Sequence, residues 1–243
     1  MNIPQNCVLG KFIREEKNRF LCTVDVDGTQ KLCYIASSCR LENFVELQGK
    51  TVLLKPTSTP KASTEYSVFG VKHKQSYILL NTSMANRAIE NSMQSRKLAC
   101  FGKRTQFLKE HKVEDYKTDF FLPQSKTLIE VKSVISMTEE APFPTVFSER
   151  TLRQLAAIER MLDAGYSARF VIVSLNPYVK RIRLQSDTPF YAAIKSCIDS
   201  GLELDAFTCR LGQDGIPFID RRIPLIDPAD ENLRYAKSSH ADH

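Results

Sequence analysis

The sequence predicts an α/β protein in two parts: a small β-barrel, then an α/β sheet with helices packed on it. Two observations carry this. Residues 6–80 hold short segments rich in β-branched and aromatic residues, separated by turn signals. From residue 117 onward, strand-like and helix-like patterns alternate. The expected units are a barrel at 1–80, an α/β domain at 81–228 and a polar tail at 229–243.

The barrel segments read CVLGKFIR, RFLCTVDV, KLCYIA, TVLLK, EYSVFGV and SYILL. Asp27-Gly28 and Gly49-Lys50 mark turns between them. Five or six short strands in so few residues suit a small barrel; the OB type is one candidate, and periodicity does not separate it from others. A helix is expected over 82–98, with Thr82 as N-cap, and a basic connector follows it. Strands at 117–122 and 127–134 flank a turn at Pro123-Gln124-Ser125-Lys126. Residues 149–164 read as a helix with Leu152, Leu155, Ala156 and Leu162 on one face. The run RFVIVSL at 169–175 is unbroken, apolar and β-branched, as a buried central strand requires. Residues 188–200 form a further helix, with Phe190, Ala193, Ile194, Cys197 and Ile198 on one face and Gly201 at its C-terminus. A strand over 202–209 closes the sheet.

Composition narrows the function classes. The seven cysteines are an odd number with no C-x-x-C pair, which argues against a disulfide framework and a cysteine zinc site. Four scattered histidines give little support to a histidine metal site or a Ser-His-Asp triad. No segment approaches the ~18 apolar residues of a membrane span, and the N-terminus lacks the pattern of a secretory signal. A cytoplasmic protein with no membrane partner is expected.

The formal net charge is +6. Between residues 87 and 112, seven basic residues (Arg87, Arg96, Lys97, Lys103, Arg104, Lys109 and Lys112) face two acids, Glu90 and Glu110. Such clustering binds phosphate backbones through counterion release; the alternative is a solvated basic face. Lys180, Arg181 and Arg183 are further candidates for phosphate contact. Phe20, Tyr34 and Phe69 are candidates for stacking unpaired bases, with core packing as the competing role.

The segment carrying chemistry runs from Lys117 to Ser133. Asp119 lies on one strand; the next, otherwise apolar, presents Glu130-x-Lys132. Residues i and i+2 share a strand face, so Glu130 and Lys132 project together and a hairpin can bring Asp119 beside them. Phosphodiester hydrolysis uses this combination. Carboxylates hold Mg²⁺ or Mn²⁺, the metal activates water, and a lysine orients that water or stabilises developing charge. The competing reading is an ordinary salt-bridged hairpin on a protein–protein adaptor. Glu149, Arg150, Arg153 and Gln154 begin the next helix near the same sheet edge, and Glu110 is a further acid.

These pieces resemble the sugar fermentation stimulation family. Asn81 to Arg87 looks like its N-T-x-x-A-N-R helix start. EHKVEDYKTDF at 110–120 is similar to its E-V-x-Y-G-x-S-R-I-D-F, and IEVKSV at 129–134 coincides with its I-E-V-K-S-V. Phe143-Pro144 with Ser148-Glu149-Arg150 resembles F-P-D-A-x-T-E-R-G. The resemblance implies an OB-like domain joined to a restriction-endonuclease-like domain of the PD-(D/E)XK type. It further implies sequence-nonspecific DNA binding with a regulatory role in sugar metabolism, and a Mg²⁺- or Mn²⁺-dependent nuclease as the alternative. Carried over by position, Asp119, Glu130 and Lys132 are the catalytic core, and Asp119, Glu130 and Glu110 the metal acids. Glu149 is then an outer acid, with Arg150 and Gln154 beside it. The chain departs from the pattern at 36–41 (Ala-Ser-Ser-Cys-Arg-Leu), Glu114, Tyr116, Thr145, Thr151 and Gln154.

Overall fold

The computed structural model describes residues 3–36, 46–57, 63–95, 97–102, 106–228 and 233–234. Arg96, Lys103, Arg104, most of the 36–41 segment and the rest of the tail lie outside these residues.

The first part is a closed barrel. β1 (Val8–Glu15), β2 (Leu21–Val26), β3 (Thr29–Ile35), β4 (Thr51–Pro56) and β5 (Tyr66–His73) pair in the order β3-β2-β1-β4-β5, and β3 closes parallel onto β5. This is the OB-like arrangement. The β2–β3 hairpin turns at Asp27 and Gly28, whose φ values of 51° and 79° are those of the tight turn the Asp-Gly pair predicts. Gly10 sits where β1 is pressed between β2 and β4; a Cβ there would stand 2.5 Å from Val24 Cγ1 and 2.9 Å from the Asp25 carbonyl oxygen. β6 (Ser76–Leu79) extends from β5, and the Leu79 amide donates to the Leu175 carbonyl (3.0 Å).

The second part is a mixed six-stranded sheet. Its strands are β7 (Leu108–Val113), β8 (Tyr116–Leu122), β9 (Thr127–Val134), β11 (Ser167–Ser174), β13 (Glu203–Leu211) and β14 (Pro217–Arg222), in the order β14-β13-β11-β9-β8-β7. The predicted central strand is β11, parallel to β9 and β13, with Phe170 to Val173 fully buried. A smaller sheet joins β10 (Glu140–Phe143), β12 (Arg181–Leu184) and β15 (Leu225–Ile226), with Leu233–Arg234 along β15.

Three helices cover the sheets: α1 (Met84–Gln94), α2 (Glu149–Asp163) and α3 (Pro189–Asp199). One apolar cluster runs from the barrel interior through α1 to one face of the large sheet, including Phe120, Ile129 and Val131; a second fills the opposite face beneath α2 and α3.

Several expectations are corrected. α1 begins at Met84: Thr82 does not cap it, because the Asn81 carboxamide oxygen accepts from the Ser83 amide and hydroxyl. It ends at Gln94, where the Ser95 hydroxyl takes the Asn91 carbonyl. The α2 core face is Leu155, Ala157, Ile158 and Met161, and Ala156 is exposed. The basic connector contains an edge strand, β7, whose charged residues suit an unpaired sheet margin. The cysteines described are all free thiols.

Candidate functional site

The site forms where β8 and β9 part. Their antiparallel pairing runs from Leu122↔Thr127 to Phe120↔Ile129 and stops there. Thr118 turns its hydroxyl onto the Ile129 and Phe120 carbonyls (2.9 and 3.0 Å). The Val131 amide, left without a strand partner on this side, donates to Asp119 Oδ2 (2.8 Å), and Asp119 Oδ1 accepts from Asn86 Nδ2 on α1 (3.1 Å). A short acidic side chain thus completes the hydrogen bonding of a splayed strand pair.

β9 turns Ile129 and Val131 into the barrel-side core and Glu130 and Lys132 toward α2, as the strand period requires. Glu130 is only 2% exposed. Its Oε1 accepts from Lys132 Nζ (2.7 Å) and Gln154 Nε2 (2.6 Å), and its Oε2 from the Tyr116 hydroxyl (2.5 Å). Gln154 closes the ring by accepting from Lys132 with Oε1 (2.7 Å). The Ser148 hydroxyl caps α2 at the Thr151 amide (3.2 Å), fixing the helix turn that delivers Gln154.

A buried carboxylate, Glu130, and a half-buried one, Asp119, therefore lie close to one ammonium. Burial, and then the neighbouring Glu130 charge, push Asp119 from its ordinary 3.8 up to about 6, against the lowering effect of the Val131 amide, Lys132 and Asn86. Tyr116 is held well above the ordinary phenol range by burial and by Glu130, which keeps it a donor.

A cleft of about 730 Å³ opens beside the acids. Neither carboxylate lines it. Asn86, Val131 and Lys132 do, and all three bond an acid, so the pair lies one residue beneath the cleft floor. Arg150 and Asp187 also line it.

The core Asp119, Glu130 and Lys132 is assembled as the sequence predicts, with Gln154 in direct contact and Arg150 at the cleft. The two further acids are not brought in. Glu110 stands across from Asp119 in the β7–β8 register, but its φ of 49° swings the carboxylate outward to Lys117 (2.6 Å). Glu149 is exposed and pairs with Arg153 (3.5 Å). Among the described residues no three His, Cys, Asp or Glu side chains cluster as a metal site, so the three expected metal acids are not gathered: Glu110 pairs with Lys117, away from Asp119 and Glu130. Asn86 and Tyr116 were missed. Asn86 lies within the stretch that carries the resemblance, which gave a hint; Tyr116 registered only as a departure.

The basic residues are partly neutralised. Arg87 and Lys112 are exposed, Lys109 pairs with Glu90 (2.7 Å), and Lys97 lies 5.1 Å from the Phe218 ring centre. Lys180 pairs with Glu139 (2.7 Å), and Arg181 and Arg183 both pair with Glu140. Of the barrel aromatics, Phe69 is core. Phe20 and Tyr34 are exposed and stacked, 6.4 Å between centroids, with Arg19 over Phe20. No helix among the described residues is long and apolar enough to cross a membrane.

Comparison with known proteins agrees with this fold. Residues 83–215 match the family model of the sugar fermentation stimulation protein RE domain, and residues 15–80 that of the SfsA N-terminal OB domain. A sugar fermentation stimulation protein homolog of Clostridium beijerinckii is 25% identical over 88% of this chain and 96% of its own length. One from Magnetococcus marinus is 26% identical over 87% and 93%. The structure of Pyrococcus furiosus SfsA in complex with Ca²⁺ superposes with a TM-score of 0.78 at 19% identity, over 93% of this chain and 99% of that one; at this identity the likeness is one of fold.

Proposed function

The chain belongs to the sugar fermentation stimulation protein family, and from that premise we propose that it binds nucleic acid, DNA in particular, with a phosphodiester received in the cleft above Asp119 and Glu130. The observation that carries this reading is the cleft itself: Lys132 and Arg150 line it, and the acid pair lies directly beneath. Exposed Arg87 and Lys112 and the Phe20–Tyr34 stack add backbone and base contacts outside it. Such binding is independent of base sequence and falls steeply with salt. A titration of labelled DNA against ionic strength tests it, and salt-insensitive binding, or none at low salt, removes it. The regulatory role in sugar metabolism rests on the family alone.

A second reading, Mg²⁺- or Mn²⁺-dependent hydrolysis, is favoured by one observation. Asp119 is raised to about 6 beside a second buried carboxylate, an arrangement that a cation would relieve. The donors fit such an ion, since hard cations take one or two carboxylates and keep several waters. Asp119 and Glu130 would hold it; when bound, it supplies charge neutralisation at the phosphate and an acidified water. Lys132 reaches both the acid and the cleft, where it can bind the phosphate or orient the attacking water. Arg150 faces the incoming anion, and Gln154 and Tyr116 hold Glu130 in place. Cleavage assays with Mg²⁺ or Mn²⁺ on wild type, Asp119→Ala and Lys132→Ala decide the matter; identical products from all three rule it out.

A further inference from the structure

The burial of Glu130 limits which form of nucleic acid can reach it. We infer that the cleft takes a segment of single-stranded DNA, whose unpaired base stacks on Phe147 and Val146 at the cleft mouth. This rests on the nucleic-acid reading above and names its substrate class.

The first consideration is size. Glu130 is 2% exposed and meets the cleft lining through Lys132. A phosphodiester must therefore descend into the cleft to approach Glu130. The cleft volume of about 730 Å³ lies in the range, roughly 300–1,000 Å³, that encloses one small ligand. One nucleotide with its phosphate fits such a space. A duplex is too wide to enter, and its paired bases are stacked away from the protein.

The second is the mouth. Val146 is 51% and Phe147 60% exposed, the highest values among the exposed large apolar side chains of the described residues. They are adjacent, both line the cleft, and they lie on the segment leading into the capped start of α2. Neither contributes to a core cluster, so folding does not account for their position. Single exposed apolar residues are commonplace; an adjacent pair beside a charged cleft offers a flat surface for an unstacked base.

The third is charge. Lys132 and Arg150 outnumber Asp187 among the lining residues, and Ser83, Ser148 and Thr188, at the N-termini of α1, α2 and α3, all border the same cleft. Three helix dipoles thus present their positive ends to one space. Anionic backbone and aromatic base are met within one cleft.

The test is fluorescence anisotropy on the full-length protein, using labelled oligothymidylate and a duplex of equal length at one ionic strength. The single strand is expected to bind more tightly. Phe147→Ala should weaken single-strand binding about tenfold and leave the duplex unchanged, while Phe147→Trp retains single-strand affinity. A 2-aminopurine base in the strand should be quenched on binding to wild type and not to Phe147→Ala. Equal affinity for both forms, or a Phe147→Ala effect that is absent or shared equally by the duplex, overturns the inference and leaves the binding reading intact. Binding of neither form overturns both.

Discussion

Replacing Asp119 by Asn should make the metal-free protein more stable at neutral pH. Asp119 titrates at about 6 against an ordinary 3.8. At about 1.36 kcal/mol per unit, the folded state disfavours the ionised carboxylate by roughly 3 kcal/mol. Asn removes the charge and keeps an oxygen for the Val131 amide. Its own amide then faces Asn86, whose carboxamide must turn to accept from it. Allowing about 1 kcal/mol for that adjustment, the net gain is roughly 2 kcal/mol. For a chain of this size that raises Tm by about 4–8 °C. The pH dependence has a definite sign. Because the folded value lies above the unfolded one, no penalty exists below about pH 4, where both states are protonated. It grows as pH rises to about 6 and is constant beyond. Thermal unfolding in EDTA, followed by circular dichroism across this range, measures it. A variant that melts at or below wild type at pH 7.5, or a difference that is flat with pH, refutes the claim that buried like charges strain this site.

Three further outcomes follow from the same geometry. Mg²⁺ or Mn²⁺ should raise the Tm of wild type and not that of Asp119→Asn; calorimetry showing equal gains would place the ion elsewhere. Lys132→Met leaves the Glu130 carboxylate buried without its ammonium and should cost about 3 kcal/mol. Urea denaturation reads this, with Glu130→Gln in the same chain recovering much of the loss; a loss below about 1 kcal/mol would mean the pair is not coupled. Gly10→Ala places a methyl 2.5 Å from Val24 Cγ1 and should lower stability by about 1–3 kcal/mol, read as a lower urea midpoint.

What the sequence made legible follows from where each signal resides. The barrel strands, β11 and α3 are half or fully buried, so packing wrote apolar periods of two, of none and of 3.6 directly into them. Glu130 and Lys132 were legible for the opposite reason: charges interrupt LIEVKSVI where burial calls for apolar residues. β7 was not, because LKEHKV is an edge strand with little to bury, and charge there reads the same as a loop. Nor were the contacts of Asn86 with Asp119 and Gln154 with Glu130, which join residues 33 and 24 positions apart and depend on how helices seat on the sheet. Glu110 entered the metal set by its position in the resembling stretch, although its Lys-Glu-His-Lys setting reads as surface; the backbone φ of 49° that turns it away has no residue signature, since glutamate rarely adopts it.

The residues that a substrate of the proposed site would meet first also hold the acids, and this would link the two proposed ligands. Five hydrogen bonds hold the pair: two on Asp119 and three on Glu130. A cation must compete with them. Three of the donors, Asn86, the Val131 amide and Lys132, belong to residues that line the cleft. A phosphate arriving there would draw the Lys132 ammonium toward itself and loosen one of the two hydrogen bonds on Glu130 Oε1, easing the approach of a cation. The cation in turn removes the carboxylates' repulsion of the phosphate. Each ligand therefore lowers the cost of binding the other, and the coupling is the same in both directions. Mn²⁺ titrated calorimetrically into the protein should bind about tenfold more tightly when the cleft holds a phosphorothioate oligonucleotide that resists cleavage. The oligonucleotide should gain the same factor from Mn²⁺. Lys132→Met should reduce both gains together, since it removes the side chain that touches both ligands. Mn²⁺ affinity that ignores the oligonucleotide would mean that the cleft and the acids act separately, and that lysine bridging does not connect binding to chemistry here.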